Sequence, residues 1–296
     1  MLILPGWRYR LPTASRMETA ESPARTRFAA LIARPSIPLA EAALAVAEEE
    51  YRGLDVRAYL AKLEALAERV GRRLPEGRPP LAVLLALKAV LFEEERFRGN
   101  EKEYYDPRNS FLNEVLDRKL GIPITLSIVT IEVAARNGLR LDGVGFPGHF
   151  LVKCPATGGL AGDLYVDPFN GGDILTTQEC MARFKAALHG REFDPRYLEA
   201  VAPPQILGRM LHNLKKIYVE AGDDVRALWT IDRLLLLSPG NIEERRDRGL
   251  LSARLGGTSA AVKDLTAYVE AAPLASDVGE VKALLRDLRG RTSFLN

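Results

Sequence analysis

A change of hydrophobic period in mid-chain restricts the fold of this sequence more than any other feature. The segment PITLSIVTIEVAARNG, residues 123–138, puts Ile124, Leu126, Ile128, Val129, Ile131, Val133, Ala134 and Ala135 on every face of a helix. A helix apolar all round has to be central and buried. Pro123 suits its first turn, and Asn137-Gly138 suits a left-handed end. Directly afterwards the period drops to two. LDGVGF and HFLVKC read as strands, as does LYVDPF beyond the glycine-rich PATGGLAGD, with Asn170-Gly171-Gly172 as the closing turn. A buried helix followed by an antiparallel hairpin predicts an α+β fold and not a βαβ unit.

Helical patterns flank this core. PLAEAALAVAEEEY, DVRAYLAKLEALAERVGRRL and PPLAVLLALKAVLFEEERF precede it, and the second aligns Val56, Tyr59, Leu60, Leu63, Leu66, Ala67 and Val70 in one stripe. In EYYDPRNSFLNEVLDRKLG, Asp106-Pro107 marks a turn, and Asn109 or Ser110 is expected to cap a short helix stopped by Gly121. Residues 1–36, rich in Arg, Pro and small residues, read as a flexible leader in which translation starts at Met1 or Met17. From about Pro203 the chain is helical again and carries a 34-residue period, seen in Pro239/Pro273, Gly222/Gly256 and Ala227/Ala261. Thirty-four is the tetratricopeptide length. The expected division is 1–36 leader, 37–200 helical unit plus core, and 201–296 repeat-like tail, the tail packing on the rest as a cap because two repeats seldom stand alone.

Net charge is only +2, so no whole-protein field calls for a nucleic acid or an anionic membrane partner. No apolar run reaches the 18 residues that span a bilayer, and two cysteines, Cys154 and Cys180, are too few for a disulfide framework or a four-ligand zinc site. A cytoplasmic location is expected. Gly143, Gly145 and Gly148 spell the dinucleotide fingerprint, but it leads into a strand where a helix is required, and no phosphate-binding loop accompanies it. No cofactor is expected, and His149 with Asp167 gives too few ligands for a metal.

His149 opens one strand and Asp167 ends the next. If Cys154 pairs with Leu164, Leu151 faces Asp167 and His149 becomes its diagonal neighbour, roughly 7–8 Å away and within reach of an imidazole. A slip of one residue would part them. A carboxylate on one imidazole nitrogen fixes the tautomer and frees the other nitrogen to take a proton, as in a catalytic triad; a purely structural histidine is the alternative.

The stretches YYDPRNSFLNEVLDRKLGIPITLS, EVAARNGL, GVGFPGHFLVK, YVDPFNGG and ILGRMLHNLKKIY resemble the transglutaminase-like proteins of the bacterial SirB family, from about Ile37 to the C-terminus. The resemblance implies a papain/transglutaminase-like core, a central helix on an antiparallel sheet, followed by a tetratricopeptide-like tail. It also implies that His149 and Asp167 occupy the superfold's His and Asp positions. The thiol of such a core opens the central helix about 15 residues before its terminal glycine, which here is Pro123. Nearby, Thr125 and Ser127 are the hydroxyl alternatives, and Cys154 lies at the far end of the hairpin strand. Glu132 must be paired inside an apolar helix, with Arg118 or Arg136, or else share a polar binding pocket with Asn109, Thr125, Ser127, His149 and Asp167. The expectation is a nucleophile-less core with a regulatory or interaction role and a protein or peptide partner. The competing reading is a hydrolase or amide transferase using Ser127, Thr125 or Cys154 with His149 and Asp167.

Overall fold

In the computed structural model, which describes residues 22–188 and 191–293, the chain divides into two compact units: Ser22–Asn213 and the residues from Leu214 onward. Helix α8 (Pro203–Glu220) runs from one unit into the next, and its start packs with the sheet, where the Ile206 side chain closes over Gly143.

Part of the expected leader is helical. Ser22-Pro23 opens α1 (Pro23–Ile32), with the Ser22 hydroxyl accepting the Arg25 N–H at 3.0 Å, and the helix buries Phe28 and Leu31 in contact with α2 (Leu39–Ala47). Residues 1–21, including Met17, lie outside the described residues. Helix α3 (Val56–Gly71) starts at Asp55, whose carboxylate accepts the Ala58 N–H at 3.1 Å, and it buries Leu63, Leu66, Ala67 and Val70. The third pattern is α4 (Pro80–Leu87), which widens into a π-helix over Lys88–Glu94. Helix α5 (Leu112–Arg118) corrects two expectations. Neither Asn109 nor Ser110 caps it: both lie in a preceding 3₁₀ turn (Pro107–Ser110) that Asp106 caps by taking the Arg108 N–H at 2.9 Å. Helix α5 itself follows Phe111 with no side-chain cap, and it ends on Lys119 in the left-handed region rather than at Gly121. Gly121 belongs to β2 (Leu120–Gly121), parallel to β1 (Arg98–Gly99), and a Cβ on it would come within 2.9 Å of Thr125 Oγ1.

Helix α6 (Pro123–Arg136) is the buried centre, touching α2, α3, α4, α5 and the sheet. Its end is as the sequence implies. Gly138 is left-handed, while Asn137 Nδ2 donates to the Ala67 and Val133 carbonyls at 3.0 Å each. The five-stranded sheet runs β6-β5-β4-β3-β7, antiparallel throughout: β3 (Asp142–Val144), β4 (Leu151–Cys154), β5 (Leu164–Asp167), β6 (Asp173–Thr176) and β7 (Ala200–Val201). The pairing Cys154↔Leu164 is the one the sequence reading required. Two strands of this sheet were not read from sequence: β6, which follows the Asn170-Gly171-Gly172 turn and runs straight into α7 (Thr177–Ala187), and the two-residue β7. While α6 packs on β3 and β4, α7 brings Cys180 and Phe184 to Val144, Leu151, Tyr165 and Leu175.

In the second unit the 34-residue period becomes geometry. Helices α9 (Asp224–Leu237) and α11 (Thr258–Ala271) are offset by 34 residues at both ends, and so are the ends of α8 and α10 (Ile242–Arg254). Ala227 and Ala261 are both fully buried. Gly249 lets α10 and α11 approach, for a Cβ there would lie 2.8 Å from the Leu265 side chain. Helix α12 (Val278–Ser293) adds Val281, Leu285 and Leu288 to the α10/α11 core. No helix among the described residues is long and apolar enough to cross a membrane.

Candidate functional site

The register of β4 and β5 and the turns at their ends bring His149 and Asp167 together. His149 follows the left-handed Gly148, its N–H donating to the Phe146 carbonyl at 2.9 Å, and its Nε2 lies 2.7 Å from Asp167 Oδ1. Asp167 is only 1% exposed, and His149 is 21% exposed. Asn170, at the turn, gives Asp167 a main-chain N–H at 3.2 Å on Oδ1 and its amide at 2.8 Å on Oδ2. From α7, Arg183 donates to the same Oδ2 at 2.8 Å and reaches Asp173 at 2.9 Å. Burial pushes the Asp167 carboxyl up, but the His149 and Asn170 bonds outweigh it and hold it below the ordinary carboxylate range. An ionised Asp167 can only accept, so Nε2 carries the proton in this bond and Nδ1 is the acceptor of a neutral ring. Arg209 of α8 donates to the His149 main-chain oxygen at 3.0 Å.

An aromatic edge lines this corner. Phe169 stands 5.9 Å from the His149 ring and 6.1 Å from Tyr104, and Tyr104 meets the exposed Tyr105 at 5.3 Å. Gly99 admits Phe169: its N–H donates to the Phe169 carbonyl, and a Cβ on Gly99 would strike the ring at 2.5 Å. The next residue, Asn100, donates its N–H to Gly121, two residues ahead of Pro123. The start of α6 and the His149 corner are thus linked through one short segment.

The other expected residues are tied elsewhere. Ser127 donates to the Pro123 carbonyl at 2.7 Å and Thr125 to the Asn109 carbonyl at 2.7 Å, and both are fully buried. Asn109 accepts from Asn100 and donates to the carbonyls of Glu103 and Tyr104. Glu132 takes the Ala40 N–H at 2.9 Å and pairs with Arg136 at 2.5 Å, the ion-pair alternative, and is not brought to His149. Cys154 and Cys180 are both fully buried; burial pushes the Cys154 thiol up, and that of Cys180 up to about 11. Among the described residues no hydroxyl or thiol hydrogen-bonds either ring nitrogen of His149. Nor do three His, Cys, Asp or Glu side chains among them converge as metal ligands. A concavity of about 720 Å³ at the far end of α6, lined by Arg78, Asn137, Arg140 and Asp142, contains neither His149 nor Asp167.

Sequence reasoning missed Asn170, Arg183, Phe169 and Arg209. Asn170 carried a signal, an Asx side chain three residues after an aspartate in a glycine turn. Arg183 and Arg209 sit on helices whose placement only the fold reveals.

The comparisons agree with this geometry. Residues 57–212 match the family model described as the transglutaminase-like superfamily, and 214–286 match a tetratricopeptide repeat model. A UPF0162 protein of Xylella fastidiosa (strain 9a5c) is 40% identical over 86% of this chain and 90% of its own length. A UPF0162 protein of Vibrio cholerae is 29% identical over 72% of this chain and 78% of its length. F-box only protein 21 of Mus musculus is 34% identical over 48% of this chain, which spans 23% of that longer protein. A central helix on an antiparallel sheet, a histidine steadied by a carboxylate from the neighbouring strand, and a match over more than half the chain give one conclusion: the chain belongs to the transglutaminase-like superfamily, with a tetratricopeptide-repeat region following its core in the sequence.

Proposed function

We propose that this protein is a non-catalytic member of its superfamily, of the SirB type, whose cleft at His149 and Asp167 binds a protein or peptide in a regulatory role. The observation that carries the reading is the contrast between an intact His149–Asp167 bond of 2.7 Å and the residue that opens the helix, Pro123, which has no nucleophilic atom. The substitutes are poor. Ser127 and Thr125 spend their protons on main-chain carbonyls, and both thiols are buried and protonated at neutral pH. Two buried, unpaired cysteines support a reducing, cytoplasmic setting. Residues 201–296, taken as a repeat tail, are proposed to contribute to partner binding, since such helix pairs present grooves to peptides.

The second reading, a hydrolase or amide transferase, is favoured by one observation: Asp167 holds the imidazole as a general base requires. Thiol- and hydroxyl-directed activity probes decide between them. The full chain is expected to show no stoichiometric labelling. Labelling that disappears in His149→Ala would overturn the non-catalytic reading.

A further inference from the structure

The corner around Asp167 is a row of alternating charges. Lys88 faces Asp173 at 3.5 Å, Asp173 faces Arg183 at 2.9 Å, Arg183 faces Asp167 at 2.8 Å, and Asp167 holds His149. Each of these cations meets a carboxylate. Among the described residues, Arg209 does not. Its one protein acceptor among the described residues is the neutral main-chain oxygen of His149, with its guanidinium 5.3 Å from the centre of the Phe150 ring.

We propose that Arg209 is the anion-recognition residue of the His149 cleft, receiving a carboxylate or phosphate group of the bound ligand; this rests on reading that cleft as a binding site. A guanidinium withdrawn from water without a counter-charge is costly, and proteins keep such groups paired unless something else supplies the charge. Burial pushes Arg209 below the ordinary arginine range, with only Tyr104 opposing. A guanidinium has five N–H donors, and the His149 oxygen takes one. The planar fork that remains fits a two-oxygen anion, and the guanidinium lies over the Phe150 ring. Gly145 leaves room for the guanidinium itself, since a Cβ there would lie 3.2 Å from Nη1. Because the same guanidinium grips His149, an anion on Arg209 reports at the imidazole. The Phe169 and Tyr104 rings give the rest of the ligand an apolar surface, so the class expected is an anionic group on an apolar or aromatic body.

The test titrates sodium acetate and, separately, inorganic phosphate into the full chain at constant ionic strength, following the His149 ring resonances. Saturable binding is expected. Arg209→Gln should weaken it about 10-fold or more and Arg209→Lys should recover it only in part, since lysine keeps the charge without the fork. Arg140→Gln, at an 85% exposed side chain in the concavity at the far end of α6, should change nothing. The stronger of the two anions distinguishes a carboxylate ligand from a phosphorylated one. Should Arg209→Gln not fold, arylglyoxal modification of the unmutated protein serves instead, with phosphate or acetate protecting Arg209 selectively. No saturable binding, equal affinity in Arg209→Gln, or protection confined to other arginines would overturn the assignment. Activity-probe labelling would sink the non-catalytic reading and leave this one standing, so the two fail separately.

Discussion

The two units treat buried charge differently. In the repeat unit, Asp264 takes two bonds from Arg248, at 2.7 and 2.9 Å, and Lys215 spans Glu244 and Asp247 at 2.7 Å each, so these charges are spent joining one helix to another. In the core, Asp167 is answered by His149, Asn170 and Arg183, yet the row ends on an imidazole nitrogen and on Arg209, neither answered by a carboxylate of the described residues. Saturated pairs are architecture. Unsaturated ones, at a corner lined with aromatic edges, are where a chain leaves room for something other than itself.

The largest effect that can break this contrast is removal of the central carboxylate on each side. Asp167→Ala strips three side-chain partners of their acceptor and should cost about 3 kcal/mol in urea denaturation. Asp264→Ala should cost a comparable amount, but only Asp167→Ala should move the His149 ring resonances in NMR. A shift of those resonances in both would erase the distinction. Next come the tight glycines. Gly249→Leu forces a side chain into Leu265 and Gly99→Ala forces one into Phe169, each costing about 1–3 kcal/mol of stability by overpacking. The Gly99 variant alone should disturb the His149 ring signals.

A smaller effect follows pH. Because the folded Asp167 carboxyl lies below its ordinary range, its contribution is fully present above the unfolded value, about pH 4, and is lost as pH falls through the folded one. Urea midpoints between pH 6 and 2 should therefore fall less steeply in Asp167→Asn than in the unmutated chain; parallel curves would contradict the pairing. The smallest expected effect is none at all. Iodoacetamide at pH 7.5 should leave Cys154 and Cys180 unmodified until urea unfolds the protein, and rapid alkylation of either in the native state would reopen the nucleophile question.

The fold was legible wherever periodicity and punctuation agreed. The burial of α6, its Asn137-Gly138 end, the β4/β5 register and the 34-residue offset all follow from apolar spacing with Gly and Pro. Phe28 went unread because one short helix among Arg and Pro residues resembles a leader until α2 is there to cover it. Strand β6 went unread because four residues running directly into a capping box leave no period to detect. Within the site, His149 and Asp167 were accessible through strand register alone. Arg183 and Arg209 were not, because they arrive from α7 and α8, and no local pattern records which helix face a distant strand will meet.

Pro123 has a consequence beyond its lack of sulfur. Proline has no amide hydrogen, and the Ile122 N–H just before it is already taken by Thr125 Oγ1 at 3.2 Å. The positive end of the α6 dipole is thereby short of donors where an acyl-transfer centre would gather negative charge. Pro123→Cys would install a thiol and an amide hydrogen together, so a single codon separates this helix mouth from one equipped on both counts.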